Sequence, residues 1–427
     1  MGNSMTTIGK VAEVFDGPHA TPKKIENGPF FLSISSLENG RLDLSKSARL
    51  SEADFVKWTK RVTPQKGDLL FSYETRLGEA ALMPDGIRAC LGRRMGLLRP
   101  REDKVIPEYL LYAYMSPAFQ QTIVANTITG ATVDRIALNE MPSFDIRIPG
   151  IDEQKKVASV LRALDAKIDC NNRINAELEA MAKTLYDYWF VQFDFPFDFA
   201  QGRPDAHGKP YKSSGGKMVY NSTLKREIPA GWGAKLLADV GSFKNGINYD
   251  PSVGGNATAR IVNVRNVSAT TIFLKENDLD ALDLEQAEID KYLVTSDSIL
   301  IARSGIPGAT RMMSFCPPNT IYCGFIICMT VANPEDKLFL FFKMKQIEQS
   351  LLSQSSGSIL KNVSQDTLKA ICIAMPPDDL RSVIQSFNAA INPILGKLSL
   401  NQQANNQLTE LRDWLLPMLM NGQVTVA

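Results

Sequence analysis

Two pairs of short loops in this sequence hold the residue types that grip phosphates and read base edges. One pair is Tyr73-Glu74-Thr75-Arg76-Leu77-Gly78 and Arg303-Ser304-Gly305-Ile306-Pro307-Gly308. The other is Thr129-Gly130-Ala131-Thr132-Val133-Asp134-Arg135 and Ser356-Gly357-Ser358-Ile359-Leu360-Lys361-Asn362. Glycine lets a backbone approach a phosphate closely, and arginine forks onto guanine or phosphate. The candidate nucleic-acid contacts in the first half are therefore Arg76, Arg93, Arg94, Thr132 and Arg135. In the second half they are Lys244, Asn245, Arg265, Arg303, Ser304, Arg311, Lys361 and Asn362. Further basic groups stand at Lys23-Lys24, Lys60-Arg61 and Arg260. Any one of them alone reads as an ordinary solvated charge. The paired loops carry more weight, because both copies keep the glycine and the polar run while the side chains differ. Two similar scaffolds with different loop chemistry would read two different short sequences.

Bond-making chemistry finds little to work with. The two histidines, His19 and His207, lie in Gly/Pro-rich turns, so neither a histidine metal site nor a catalytic dyad is expected. No G-x-G-x-x-G follows a strand-like run, and no P-loop occurs. The Asn/Asp-Pro-Pro-aromatic motif of an amino-methyltransferase is missing as well. Pro84-Asp85 followed by Glu102-Asp103-Lys104 loosely matches the carboxylates and lysine of metal-dependent nucleases. Those groups must sit on a rigid buried strand to hold Mg²⁺. Here Asp85 precedes Gly86 in a turn and Glu102 lies in the polar run RPREDK, so both read as solvated loops. No catalytic residue and no metal ligand is expected. A stand-alone enzyme with an unfamiliar site and a scaffold that binds only protein are the other function classes.

The elements that must position the loops begin with a helix. Residues 152–189 contain no Pro and no Gly, and their apolar side chains alternate at steps of three and four, the seam of a coiled coil. One row is Val157, Leu164, Asn171, Leu178 and Leu185; the other is Leu161, Ile168, Asn175, Ala182 and Trp189. At 1.5 Å per residue the helix is roughly 55 Å long. The pattern recurs 230 residues later: Val157 maps to Phe387, Leu161 to Ile391, Asn171 to Asn401 and Asn175 to Asn405. Two matched helices in one chain are expected to pack as an antiparallel pair. Their Asn171, Asn175, Asn401 and Asn405 layers would meet near mid-helix and fix the register. Asn392-Pro393 interrupts the second copy, and Pro removes a helix hydrogen bond and clashes with the preceding turn. A kink or break there is expected, with Asn392 as a new N-cap.

The rest of the chain repeats at nearly the same offset. Val11-Ala12-Glu13-Val14 is echoed by Leu237-Ala238-Asp239-Val240. The strand-like run FFLSISSL (30–37) is echoed by RIVNVRNV (260–267), and DLLFSY (68–73) by the run at Ile299–Ala302. Residues 107–125 read as a helix and FDIRIP (144–149) as a last strand. The expected order is a mixed α/β domain (1–150), a long helix (151–190), a Gly/Pro/Ser-rich linker (191–230), a second such domain (231–376), and a second helix with a tail (377–427). The fold class is α+β with a pseudo-two-fold internal repeat, which suits a two-fold partner.

Composition sets the outer bounds. The chain has 427 residues and formal net charge +1, a balance that neither demands nor excludes a nucleic acid. No apolar run reaches the length of a membrane span. The opening MGNSMTTIGK lacks the apolar core of a signal peptide and fits an N-myristoylation pattern only loosely. The six cysteines form no C-x-x-C pair and read as free thiols of a reducing cytoplasm.

Four stretches carry a family resemblance. They are IPGIDEQKKVASVLRALDAKIDCNNRINAELEAMAKTLYDYWF, GKPYKSSGGKMVYNSTLKREIPAGW, DSILIARSGIPGATRM and LTELRDWLLPMLMNGQV. With the repeat, they resemble the specificity subunit of type I restriction–modification enzymes over essentially the whole chain. The helix motifs with their Asn layers and the terminal LRDWLLP are the specific part; Pro393 is a departure. The resemblance implies two target-recognition domains, each reading half of a bipartite DNA site, joined by antiparallel helices that set the spacer. It implies a non-catalytic chain in a prokaryotic cytoplasm. Two modification subunits carrying S-adenosylmethionine would dock on the helices, restriction subunits would complete the nuclease, and Mg²⁺ and ATP would belong to those partners.

Overall fold

The computed structural model describes residues 4–19, 21–129, 133–250, 254–268, 271–354 and 362–426. The chain forms two compact units, Met1–Asp169 with Gln407–Ala427, and Cys170–Asn406. Two mixed α/β domains are joined by two long helices, Ile151–Tyr186 and Ser382–Met420.

Each unit contains the same three sheets. In the first, a four-stranded antiparallel sheet runs Ala12–Asp16, Met95–Pro100, Leu69–Ser72, Ala80–Leu82 in spatial order. In the second, the order is Gly241–Asn245, Ile326–Val331, Ser298–Ala302, Thr310–Arg311. A smaller mixed sheet flanks each. Ile25–Phe31 pairs antiparallel with Ala48–Arg49 and parallel with Ala89–Cys90, as Ala257–Val262 does with Asp280–Leu284 and Thr320–Tyr322. A two-stranded ribbon closes each unit, Met5–Thr7 with Asp145–Arg147 and Gly233–Leu236 with Cys372–Met375. The central strands, Leu69–Ser72 and Ser298–Ala302, are buried along their whole length, which is why both read as unbroken apolar runs.

Several boundaries differ from the sequence expectation. The strand at FFLSISSL ends at Phe31 and a 3₁₀ turn follows at Ile34–Ser36, where Ser33 accepts the Ser35 N–H. RIVNVRNV is strand only to Val262, then a helical turn, Val264–Val267. The helix expected over 107–125 is two, Pro107–Met115 and Pro117–Ala125, because Pro117 starts the second with Ser116 as its cap. Within 191–230, read as a linker, stand the strands Pro196–Asp198, Met218–Asn221 and Arg226–Pro229. Phe193, Phe195 and Tyr211 are buried there, and the Phe195 ring stacks on Tyr211 and on Trp232, just beyond the segment, at 4.9 and 5.6 Å. Gly202 and Gly215 mark tight turns of this packed segment, whereas Pro196, Pro204, Pro210 and Pro229 lie in its short strands.

The second long helix is not broken at Pro393. Asn392 is no N-cap, and the helix begins at Ser382. An interior proline costs about 3 kcal/mol. Phe387 and Ile391 before it and Leu395 and Leu398 after it are buried on one face. Each such side chain contributes roughly 1.5–3 kcal/mol, so packing on both sides outweighs the lost hydrogen bond.

The helices run antiparallel within each unit. In the second, Asn171 donates to Asn405 at 2.8 Å, Asn405 to Asn172 at 2.8 Å, and Asn401 to Asn175 at 2.8 Å. The first helix closes with a π-helical turn, Asp187–Val191, that places Trp189 and Phe190 against Phe387 at 5.7 and 5.0 Å. In the first unit, Arg412 pairs with Asp165 at 3.0 Å, and Asp165 also accepts the Tyr112 hydroxyl at 2.6 Å. Helix and domain are thereby bonded to each other in each unit: Gln154 holds the Lys104 and Pro149 carbonyls in the first, and Glu179 accepts the Ile272 N–H at 2.8 Å in the second.

Candidate nucleic-acid interface

In the first unit the strand Leu69–Ser72 runs out into the loop 73–78. Tyr73 donates its N–H to the Arg94 carbonyl at 3.2 Å and accepts the Ile136 N–H at 2.9 Å. Thr75 donates to the Asp134 carbonyl at 3.2 Å, and Glu74 bridges to Arg135. Three segments distant in sequence are therefore held as one surface: the loop, the turn 92–95 and the chain entering Arg135–Ile136. Thr75 (φ 68°) and Arg94 (φ 70°) lie in the left-handed region, which is rare for a β-branched residue. Side chains hold them there. Arg94 pairs with Glu74 at 2.7 Å and donates to the Thr75 hydroxyl at 3.2 Å, while Ser72 donates to the Glu74 carbonyl at 2.7 Å. Beneath the loop the Tyr73 hydroxyl is buried without a partner among the described residues, and burial, then the Asp16 and Glu74 charges, push its pKa up.

The second unit repeats this geometry with different side chains. Arg303 donates its N–H to the Phe325 carbonyl at 2.9 Å and accepts the Val363 N–H at 2.9 Å. Its guanidinium donates to the Gly324 carbonyl at 3.1 Å. The turn 323–326 closes with Ile326 donating to Cys323 at 2.9 Å, as Met95 does to Gly92 at 3.3 Å. Gly78 (φ 85°) in the first loop and Gly305 (φ 78°) and Gly308 (φ 85°) in the second take the left-handed turns that a side chain would strain. A helix supports each loop from below. Gln120 donates to the Gly78 carbonyl at 3.2 Å; Glu348 accepts the Thr310 N–H at 3.2 Å.

The sequence candidates separate on this frame. Arg93, Arg94 and Arg135 meet in the first unit, Arg93 and Arg135 exposed and Arg94 half-buried. Arg76 belongs to the same loop but turns toward the Ile34 carbonyl and Glu79. Arg303, Ser304 and Asn362 meet in the second, and Asn245 lies alongside, its N–H 3.0 Å from the Gln365 side-chain amide. Lys244 sits over the Tyr292 ring and donates to the Lys291 carbonyl at 2.5 Å. Arg265 pairs with Asp280, outside these contacts. Thr132 and Lys361, with most of the loop 356–362, lie outside the described residues.

Arg311 is a correction. It is 2 % exposed and its guanidinium donates to Glu348 at 3.2 Å, with Lys345 on the same carboxylate at 2.9 Å. Strand Thr310–Arg311 points it into the protein, so it cannot touch a nucleic acid without unfolding its surroundings. Sequence reasoning also missed groups. Phe325 reads as part of the apolar run GFIICM, yet it stands 60 % exposed at the turn that matches Arg94. Glu74, Gln120 and Glu348 hold the loops and carried no sequence signal.

The nuclease-like residues stay on the surface. Asp85 pairs with Lys66 at 3.0 Å, and Asp103 with Lys104 at 3.1 Å. Among the described residues no three His, Cys, Asp or Glu side chains could hold a metal ion, and no helix is long and apolar enough to cross a membrane.

Comparison with known proteins agrees with the doubled architecture. The Type I restriction modification DNA specificity domain matches twice, at residues 3–180 and 232–410. The specificity subunit of the type I restriction enzyme MjaIX of Methanocaldococcus jannaschii is 23 % identical, over 99 % of this chain and 90 % of that protein. That of HindI of Haemophilus influenzae is 24 % identical, over 84 % of this chain and 87 % of that protein. The crystal structure of the S subunit of a type I system from M. genitalium superposes with a TM-score of 0.51 at 14 % identity, over 97 % of this chain and 95 % of the other, a likeness of fold. The two family matches cover most of the sequence, one on each copy of the repeat, and the chain belongs to the type I restriction–modification specificity subunits, the non-catalytic component that gives such a system its DNA specificity.

Proposed function

We propose that the two units each read one half of a bipartite DNA site, and that the paired long helices set the spacer and dock the modification subunits. The observation that carries this reading is the doubled site. Two copies of one sheet order end in the same three-segment junction, around Tyr73, Arg94 and Ile136 in one unit and Arg303, Phe325 and Val363 in the other. A shared scaffold with unlike side chains is what two independent readers of unlike sequences need, since base edges are discriminated by side-chain chemistry. In the first unit the junction is rich in arginine, suited to guanine edges and phosphates. The second presents one arginine, Arg303, with amides, a hydroxyl and an aromatic ring.

The test is a domain exchange. Residues 231–376 are replaced by the corresponding residues of another specificity subunit, the chimaera is expressed with the modification subunit, and the methylated motif is read by sequencing the host genome. One half of a split motif should change and the other half and the spacer should stay. A motif that changes in both halves, or is not split, refutes two-unit reading.

A further inference from the structure

Phe325 has no role in the folded chain that accounts for its exposure. Its backbone is fixed, because its carbonyl accepts the Arg303 N–H at 2.9 Å and its turn is closed by the Ile326 N–H to Cys323. Gly324 before it donates to the Ile247 carbonyl at 2.7 Å, and the Arg303 guanidinium holds the Gly324 carbonyl at 3.1 Å. Four hydrogen bonds thus present one large apolar side chain to solvent from a rigid turn, 60 % exposed. No core cluster among the described residues includes it. The groups around the turn are polar: the Arg303 guanidinium on the Gly324 carbonyl, Ser304 beside Arg303, exposed Asn362 next to Val363, and Asn248, whose amide fills the space a side chain at Gly324 would need. Such groups hydrogen-bond base edges, and the apolar feature on the same major-groove edge is the 5-methyl of thymine.

We propose that Phe325 is a base contact of the second unit, covering the 5-methyl group of a thymine in the major groove. The inference rests on the reading that this unit binds one half-site of duplex DNA. A ring held on a fixed turn can cover a methyl group without distorting the duplex. Insertion between base pairs would first require unstacking them. The equivalent turn of the first unit presents Arg94 instead, so the two units would differ here in the kind of base feature read.

The experiment uses the full chain with its modification subunit, and duplexes carrying the methylated motif. Each thymine of the second half-site is replaced in turn by deoxyuridine, which removes only the methyl group. Wild type should bind one of these duplexes about four-fold more weakly, the effect of one buried methyl. The Phe325→Ala variant should bind thymine DNA at least as weakly and be indifferent to deoxyuridine at that position, while its discrimination in the first half-site stays intact. Three results would overturn the proposal: a second half-site without thymine, unchanged affinity in Phe325→Ala, or a deoxyuridine effect that persists in full in that variant. Fluorescence of a 2-aminopurine in the second half-site that rises on wild-type binding but not with Phe325→Ala would assign insertion instead. A host motif that is not split at all would remove the two-unit reading itself, whereas a split motif with a silent Phe325 would remove this inference alone.

Discussion

The asparagine ladder between the long helices should be worth more for its matching than for its strength. Asn171 and Asn401 are 3 and 5 % exposed, and Asn175 and Asn405 are half-buried. Replacing Asn401 with Leu removes the donor that the Asn175 amide oxygen meets at 2.8 Å. A buried acceptor left unpaired costs about 1–3 kcal/mol. Water reaches part of Asn175, so the lower end, about 1 kcal/mol, is expected. Replacing Asn175 and Asn401 together leaves no amide unpaired and adds apolar area to the seam. The double variant should therefore be at least as stable as wild type, with a coupling energy of about 1 kcal/mol or more between the two positions. Urea unfolding followed by tryptophan fluorescence measures this. Trp58 and Trp414 of the first unit are changed to Phe, leaving Trp189 and Trp232 to report on the second. The reasoning fails if Asn401→Leu is as stable as wild type, or if the double variant loses the sum of the single losses.

Two further outcomes follow from buried charges in the second unit. Arg311→Met should destabilise the unit by about 3 kcal/mol, because it leaves Glu348 buried with Lys345 as its remaining charge partner; in the folded protein the salt dependence of DNA binding should not change, and a smaller salt slope would instead make Arg311 a phosphate contact. Burial raises the pKa of Glu179 above its ordinary 4.5, against the lowering effects of the Ile272 N–H, Lys345 and Arg311. The folded chain then holds this proton more tightly than the unfolded chain, so the contribution of Glu179 is full at acid pH and is lost as pH rises from about 4.5 through the raised value. Glu179→Gln should flatten stability over that window, measured by urea unfolding at several pH values; identical slopes would show that Glu179 does not carry the effect.

Much of the architecture was legible because it is periodic. Alternating three- and four-residue steps announce a long helix whatever lies beside it, and a repeat near 230 residues with coincident asparagines announces a doubled fold. The central strands were legible for a similar reason, since Leu69–Ser72 and Ser298–Ala302 are buried on both faces and stay apolar throughout. Local turn chemistry set the ends: Pro117 divides one helix from the next, and Ser33 turns the chain out of a strand.

What the sequence could not settle was every question about which side of an element faces what. Pro393 has a local cost that argues for a break, and only the burial of Phe387, Ile391, Leu395 and Leu398 on either side reverses the outcome. Arg311 and Arg303 look alike as basic residues near a glycine loop. One is buried on Glu348 and the other lies at the junction of three segments, a difference fixed by strand register rather than by residue type. Phe325 looks like core for the opposite reason, as one apolar letter in an apolar run whose turn alone turns it outward. Periodicity is a property of the chain and survives without its partners, so the sequence by itself determined the repeat, the long helices and the family. Exposure and pairing are properties of two segments at once, and only the tertiary structure decided which side chains stand at the candidate interface.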